Sequence, residues 1–412
     1  MRIELDITEL SPGGEGVGHA VIKGERRAVF VPGVIAGERV DVEVDPKSRP
    51  ARGALLRVLS ASSDRAPPPC AHVERCGGCD WMHLAPSAQA SAHAAMVAKL
   101  LGVDVTGHAA PKTIGYRTRA RVHVEAKKKV VAGMFARKSH EPAQVPTCVV
   151  LDPAIDRARL ALETYLGGAR GRGDAQIALG AARNAVVDLR WQGELPADVF
   201  GRIERAVKSA ELGGARIFAG DVSTPATIGD PTPVLKGADD LPLVLPPGGF
   251  SQATEEGNAQ LARRVAALAA DASPAVELYA GAGNLTVLLA RERELTAVES
   301  SKDACASARV NLAARGLTAK VIEADAATFV IPKPTRLLVL DPPREGARAV
   351  CTALTGARTK LSRIIYVSCD PPTLARDVKL LGGAGWKIAT AETFEMFPHT
   401  SHVETVISLV KE

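Results

Sequence analysis

The chain reads as an α/β protein: a small OB-like β-barrel, then an α+β middle segment, then a doubly wound α/β domain. Three observations predict this. From residue 275 onward, short apolar runs alternate with helix-prone stretches, the pattern of a parallel sheet with crossover helices. The first sixty residues instead hold four or five short strands separated by turn residues. Finally, Arg65-Ala66-Pro67-Pro68-Pro69 and Pro246-Pro247-Gly248-Gly249 punctuate the 412 residues, which gives expected segments 1–62, 63–245 and 246–412.

A hydrophobic content of 46 % and a charged content of 24 % fit a globular chain and exclude a disordered one. The net charge of +5 permits a nucleic-acid partner without requiring one. Aromatic residues make up only 4 %, so stacking on bases falls to a few side chains or to arginine. Met1-Arg2-Ile3-Glu4-Leu5-Asp6 alternates charged and apolar residues, which argues against a secretory signal, and no apolar run is long enough for a bilayer. A cytoplasmic monomer without membrane contact is the expectation, and in that compartment structural disulfides are rare.

In the barrel segment, Arg2 to Ile7 alternates at strand period. Ser11-Pro12-Gly13-Gly14 and Gly16-Val17-Gly18 are turn chemistry. Further strands are expected at 28–33, 38–44 and 53–59. Nine Lys and Arg balance nine Asp and Glu over residues 1–60, so charge does not separate a structural barrel from an RNA-binding one.

The proline linker delivers Cys70, then Cys76-Gly77-Gly78-Cys79. Three cysteines within ten positions of a reduced protein argue for metal. A fourth ligand has to come from elsewhere. Cys148 is the best candidate, because Cys305, Cys351 and Cys369 lie far downstream in a different kind of sequence. Four thiolates suit zinc or an iron–sulfur cluster, and the spacing does not decide between them. Residues 86–101 are Ala-rich and predict a helix, a candidate to pack on the last domain. Ile114 to Val124 alternates with Arg117, Arg119 and Arg121 on one face. From Lys112 to Lys138 nine Lys and Arg face a single acid, Glu125. This basic ribbon is either a solvated hairpin face or a contact for RNA phosphates.

After the second breaker, Phe250-Ser251-Gln252 leads into an amphipathic helix over about 255–270. Ala275 to Leu278 is then a strand, followed by Tyr279-Ala280-Gly281-Ala282-Gly283-Asn284, a Gly-rich turn that lets a ligand approach the backbone. Further strands end in Glu299, in Asp325 and in Asp341. A fifth, Arg363 to Ser368, runs into Cys369-Asp370-Pro371-Pro372. Five strands thus deliver polar groups to one sheet edge, where open α/β sheets bind ligands. Singly, each acid reads as a solvated loop residue and Cys369 as a buried thiol. Together they describe an adenosine-sized site.

A dehydrogenase and a methyltransferase compete for that site. The turn is G-A-G-N-L rather than G-x-G-x-x-G, which disfavours a dinucleotide. Asp341-Pro342-Pro343 points to methyl transfer from S-adenosylmethionine. Enzymes that methylate nucleobase amines carry an aromatic after the second proline, and this chain has Arg344 and Thr373 there. A cysteine beside the site points to a pyrimidine carbon. Uracil C5 becomes nucleophilic once a thiolate has added to C6, and a base must then remove the C5 proton. Phe397-Pro398-His399-Thr400-Ser401-His402-Val403-Glu404 offers Glu404 as that base, with His399 and His402 as orienting or RNA-contacting groups rather than a zinc pair. The target uridine is expected flipped or single-stranded.

At these residues the chain resembles the S-adenosylmethionine-dependent RNA uracil-5-methyltransferases, specifically the iron–sulfur 23S rRNA branch with an N-terminal TRAM domain. The resemblance spans the chain. It rests on C-x5-C-G-G-C with Cys148, on D-P-P-R-x-G at Asp341–Gly346, on Y-V-S-C-D-P-P-T-L-A-R-D at Tyr366–Asp377 and on F-P-H-T-x-H-x-E at Phe397–Glu404. It implies a Rossmann-like methyltransferase domain, with Cys369 as nucleophile and Glu404 as base. It places Gln252, Tyr279, Asn284, Glu299, Asp325 and Asp341 at the S-adenosylmethionine site. It makes Cys70, Cys76, Cys79 and Cys148 the ligands of a [4Fe-4S] cluster. RNA is the implied partner, 23S rRNA before tRNA. The chain departs from the family pattern at Thr254, where Asn is usual, and at Glu277, Ala280 and Asp370, where Asp, Cys and Asn are usual.

Overall fold

The computed structural model describes residues 1–356 and 359–411. Strands Arg2–Leu10, Gly16–Ile22, Glu25–Val31, Arg39–Val44 and Ala51–Ser60 close into a barrel, because Arg2 to Asp6 pairs antiparallel with Arg39 to Glu43. Alternate residues fill its interior, among them Leu5, Ile7, Val29, Val31, Val40 and Val42. One expectation fails here: Gly16-Val17-Gly18 is strand, not turn. A Cβ on Gly18 would lie 2.5 Å from the Asp6 carbonyl oxygen, so these glycines serve close packing between strands.

The middle segment builds a six-stranded sheet around the long hairpin Arg170–Leu179 and Ala185–Glu194. Helices Pro153–Tyr165 and Ala197–Lys208 cover one face, burying Ile155, Leu162, Val199 and Ile203 against Ile177 and Leu189. The expected basic ribbon is only partly realised. The strand begins at Arg119 (Arg119–Ala126), and Arg121 is tied to Asp174 at 2.7 Å. Arg117 leaves the row to border the cysteine cavity and lie 5.8 Å from the Phe397 ring. The acid that pairs with Arg121 comes from strand Arg170–Leu179, 53 residues away in sequence and invisible in the local composition.

The third sheet has eight strands. Five parallel ones lie in the order Lys320–Glu323, Leu295–Glu299, Ala275–Leu278, Leu337–Leu340 and Arg363–Ser368, followed by antiparallel Glu404–Lys411, then Trp386–Phe394 and Thr106–His108. The connection order reverses between Ala275–Leu278 and Leu337–Leu340, the switch point at which such sheets open a crevice. Alternate strand residues face opposite layers. Leu278, Leu338, Leu340 and Ile364 meet Val350, Leu374 and Leu381 on one side, while Val339, Ile365 and Val367 meet Leu261, Val265 and Leu289 on the other.

Residues 86–108 belong to this third body although they precede the middle sheet. Helix Pro86–Leu101 ends in a left-handed Gly102 cap, and Thr106–His108 adds the eighth strand beside Glu392–Phe394. The stretch 63–245 is therefore divided between two packed bodies.

Candidate active site

Parallel strands put their carboxyl ends on one edge, and the antiparallel strand Glu404–Lys411 brings its amino end there too. Ser368 pairs with Thr405, so Cys369 and Glu404 form the next step of the same ladder, just past its last bond. Asp370 caps the following helix, Pro371–Gly383, by accepting from Thr373 N–H at 2.9 Å, and two prolines occupy its first turn. The strand therefore stops at the thiol and the helix starts immediately after it.

The thiol sits among acids. Burial, then Glu404 and Asp341, push Cys369 up to about 12, with Arg344 opposing. Glu404 is 4 % exposed, and burial together with Asp341 holds its carboxyl well above the usual range, again against Arg344. Burial raises Asp341 to about 7. Arg344 is thus the cation common to Cys369 and Glu404. In the sequence Arg344 counted against an amine target and as part of the D-P-P-R-x-G motif, without a role of its own. Its position directly after Asp341-Pro342-Pro343 was the available signal.

Next to these groups a cavity is lined by Gln252, Asn258, Tyr279, Gly281, Asn284 and Asp341. Gln252 Oε1 is buried without a hydrogen-bond partner. Asn284 and Asn258 bond reciprocally through their amides at 2.8 Å. Asn258 is one helical turn past Thr254, so an asparagine does serve this corner, from a position the sequence reading passed over. Tyr279 adopts φ +65° and Gly281 +55°, which turns the backbone sharply under the cavity. Glu299 does not line the cavity; its carboxylate accepts from Gly281 N–H at 2.9 Å and Ser301 N–H at 2.7 Å. Asp325 is exposed, and burial, then Asp325, raise the Tyr279 phenol. Glu277, unassigned at the start, is 1 % exposed with Oε2 unpartnered, and burial, then Asp341 and Glu299, raise it to about 8. An orphaned acceptor and a cluster of acids facing an open turn fit a ligand that is cationic and rich in hydrogen-bond donors.

His399 and His402 separate. His399 is buried on Gln89, and His402 is exposed beside Phe397. Cys70, Cys76, Cys79 and Cys148 line a second cavity together with Arg117 and Met134. Burial, then Cys148, raises the Cys79 thiol to about 12. Four thiols around one space fit a cationic centre, since only cations let them all ionise. Among the described residues no group of three or more His, Cys, Asp or Glu is arranged to hold a metal ion.

A family model described as tRNA (uracil-5-)-methyltransferase matches residues 334–412, and one described as a methyltransferase small domain matches residues 240–361. The chain is similar to curated proteins named 23S rRNA (uracil(1939)-C(5))-methyltransferase RlmD. The one from Pseudomonas putida is 33 % identical over 98 % of this chain and 92 % of its own length. The one from Halomonas elongata is 33 % identical over 99 % and 89 %. Among solved structures, the Pyrococcus abyssi tRNA (uracil-54, C5)-methyltransferase, in complex with S-adenosyl-L-homocysteine, shares the fold with a TM-score of 0.76 at 24 % identity, covering 100 % of both chains.

Proposed function

The chain belongs to the RNA uracil-C5-methyltransferase family, and from that premise we propose that it methylates a uridine of 23S rRNA with Cys369 as nucleophile and Glu404 as base. That it transfers a methyl group from S-adenosylmethionine to uridine C5 in RNA follows from the family itself. What supports the residue assignment is the ladder register, which ends at Ser368 and Thr405 and so leaves Cys369 and Glu404 as neighbours near Asp341 of the cavity.

Cys369 enters as the thiolate, and Arg344 favours that form. Its sulfur adds to C6, and the C5–C6 electron pair becomes available at C5. S-adenosylmethionine, when bound, supplies an electrophilic methyl group on a positively charged sulfur. After C5 is methylated, Glu404 takes the C5 proton, the C5–H electron pair restores the C5–C6 double bond, and the C6–S pair returns to Cys369. The proton then leaves to water. Gln252, Tyr279, Asn284 and Asp341 would hold the cofactor, with Asp341 and Glu404 facing its positive charge. Glu299 and Asp325 would reach its nucleoside from the next two strands.

The names of the relatives support rRNA over tRNA. Labelled S-adenosylmethionine offered with 23S rRNA transcripts and, separately, with tRNA tests this. Label in 5-methyluridine of the rRNA is expected. Label confined to the tRNA T-loop would move the substrate, and label on a base nitrogen would sink the chemistry. We read Cys70, Cys76, Cys79 and Cys148 as ligands of a [4Fe-4S] cluster and the barrel as a TRAM module, in a cytoplasmic monomer. Anaerobic purification should give about four iron and four sulfide per chain; stoichiometric zinc would overturn the cluster.

A further inference from the structure

The loop 397–403 carries the chain into Glu404, and its backbone groups are satisfied from far away in sequence. Gln89 Oε1 accepts from His399 N–H at 2.8 Å, and the His399 carbonyl accepts from Trp81 N–H at 2.9 Å. Asp80 Oδ1 accepts from Ser401 N–H at 2.9 Å. The Tyr116 hydroxyl donates to the Pro398 carbonyl at 3.2 Å. His399 itself sits at φ +69° and is 2 % exposed. A non-glycine residue in the left-handed region persists only where its surroundings over-determine it. Here the surroundings are the segment immediately after Cys79 and the first turns of helix Pro86–Leu101. The barrel closes the same contact. A Cβ on Gly14 would lie 2.5 Å from Asp80 Oδ2 and 2.6 Å from Ser401 Cβ, and Trp81 Nε1 donates to the Gly14 carbonyl at 3.0 Å.

We propose that Asp80 and Gln89 are positioning residues for the proton-transfer step: they hold loop 397–403 so that Glu404 faces the C5 proton of the covalent adduct. Neither touches the cofactor cavity or Cys369, so cofactor binding and thiol addition do not depend on them. The step they govern is the last one. The C5–H bond breaks, its proton passes to the Glu404 carboxylate, its electron pair restores the C5–C6 double bond, and the C6–S bond breaks with its pair returning to Cys369. The proposal rests on Glu404 being the base.

A single-turnover experiment with the full chain, S-adenosylmethionine and its RNA separates formation of the covalent RNA–protein adduct from its resolution. Denaturing gels read the adduct. In Asp80→Ala and Gln89→Ala, adduct formation should stay within about two-fold of wild type, while resolution slows about ten-fold or more, the range set by misplacing a general base. Methylated adduct then accumulates. Asp80→Asn keeps the Oδ1 acceptor and should restore resolution, which a general loss of packing would not allow. Gly14→Ala pushes on both Asp80 and Ser401 from the barrel and should reproduce the accumulation, so the proposal stays testable if one variant folds poorly. Formation and resolution falling together, or resolution unchanged in Asp80→Ala, Gln89→Ala and Gly14→Ala alike, would overturn it. Glu404→Gln separates the two readings. If it accumulates adduct and the Asp80 and Gln89 variants do not, positioning fails alone. If it accumulates none, the base assignment fails and the positioning proposal falls with it.

Discussion

Glu392 and Glu404 lie on neighbouring strands of one sheet and are about equally buried, at 5 % and 4 % exposed. They ionise in opposite directions. Burial opposes the charge on Glu392, but Arg264 at 2.6 Å and His108 at 2.7 Å overcome it, and the carboxyl lies below its ordinary range. Glu404 has Arg344 on one side and the Asp341 carboxyl on the other, and burial prevails. Depth therefore does not decide the charge of a buried acid; its company does. At the sheet's outer edge the company is cationic and the acid is structural. At the switch point the acids are left short of cations, as a site awaiting a positively charged ligand would be.

Two thiols of this domain, one buried and one half-buried, extend the contrast. Cys351 and Cys369 are both pushed to about 12, yet Cys351 is enclosed by the apolar core and Cys369 opens beside the acids. RNA carrying 5-fluorouridine should trap the wild type covalently, because no C5 proton can be removed. Cys369→Ala should abolish trapping and lower turnover by roughly 10⁴-fold or more, whereas Cys351→Ala should trap normally. Equal trapping by Cys369→Ala would break the comparison outright. Glu404→Gln should lower turnover by about 10²–10⁴-fold with methylated adduct as the accumulating species, and Glu392→Gln should leave turnover unchanged.

Stability should divide the acids in the same way. Burial pushes the Asp341 and Glu277 carboxyls up to about 7 and about 8, so the folded protein binds more protons than the unfolded chain between about pH 4 and 8. Their contribution to stability is then lost as pH rises through that window. Glu277→Gln should flatten the fall in melting temperature from pH 5 to 8, gaining on the order of 3 kcal/mol at pH 7. An unchanged slope would mean that Glu277 is ionised in the native protein. Glu392 works the other way, and its contribution disappears as pH falls through its depressed value. Glu392→Gln should cost about 1–1.5 kcal/mol at neutral pH, a modest figure because Arg264 is 40 % exposed and screened by water. Chemical denaturation at neutral pH measures it.

The strand ends were legible because apolar runs bounded by breakers are a local signal, and Tyr279, Glu299, Asp341, Cys369 and Glu404 each stand at such a boundary. What pairs with what was not. Thr106-Gly107-His108 has no apolar pattern, and only Glu392–Phe394 makes it a strand. Arg117 leaves its row because its backbone pairs with Val150 and Asp152, beside the cavity of Cys70 and Cys148. Asn258 looked like one polar residue among others on a helix until Asn284 met it. Glu277 stands inside a four-residue strand with all positions buried, and an acid in such a run was the clue left unused.

The strand Thr106–His108 also fixes an order of events as the chain is made. His108 leaves the ribosome 284 residues ahead of Glu392, the residue it bonds. Until that partner arrives, the helix before it leans on Glu9, Leu10 and Ile35 of the N-terminal segment and on Trp81. The reverse holds for a fragment beginning after the breaker at 246–249. Its strand Trp386–Phe394 would emerge uncovered at Glu392–Phe394, a free rim of backbone donors and acceptors that invites pairing between molecules. The breaker that divides the sequence most visibly is thus a poor place to cut it: one product keeps the hook, the other the eye.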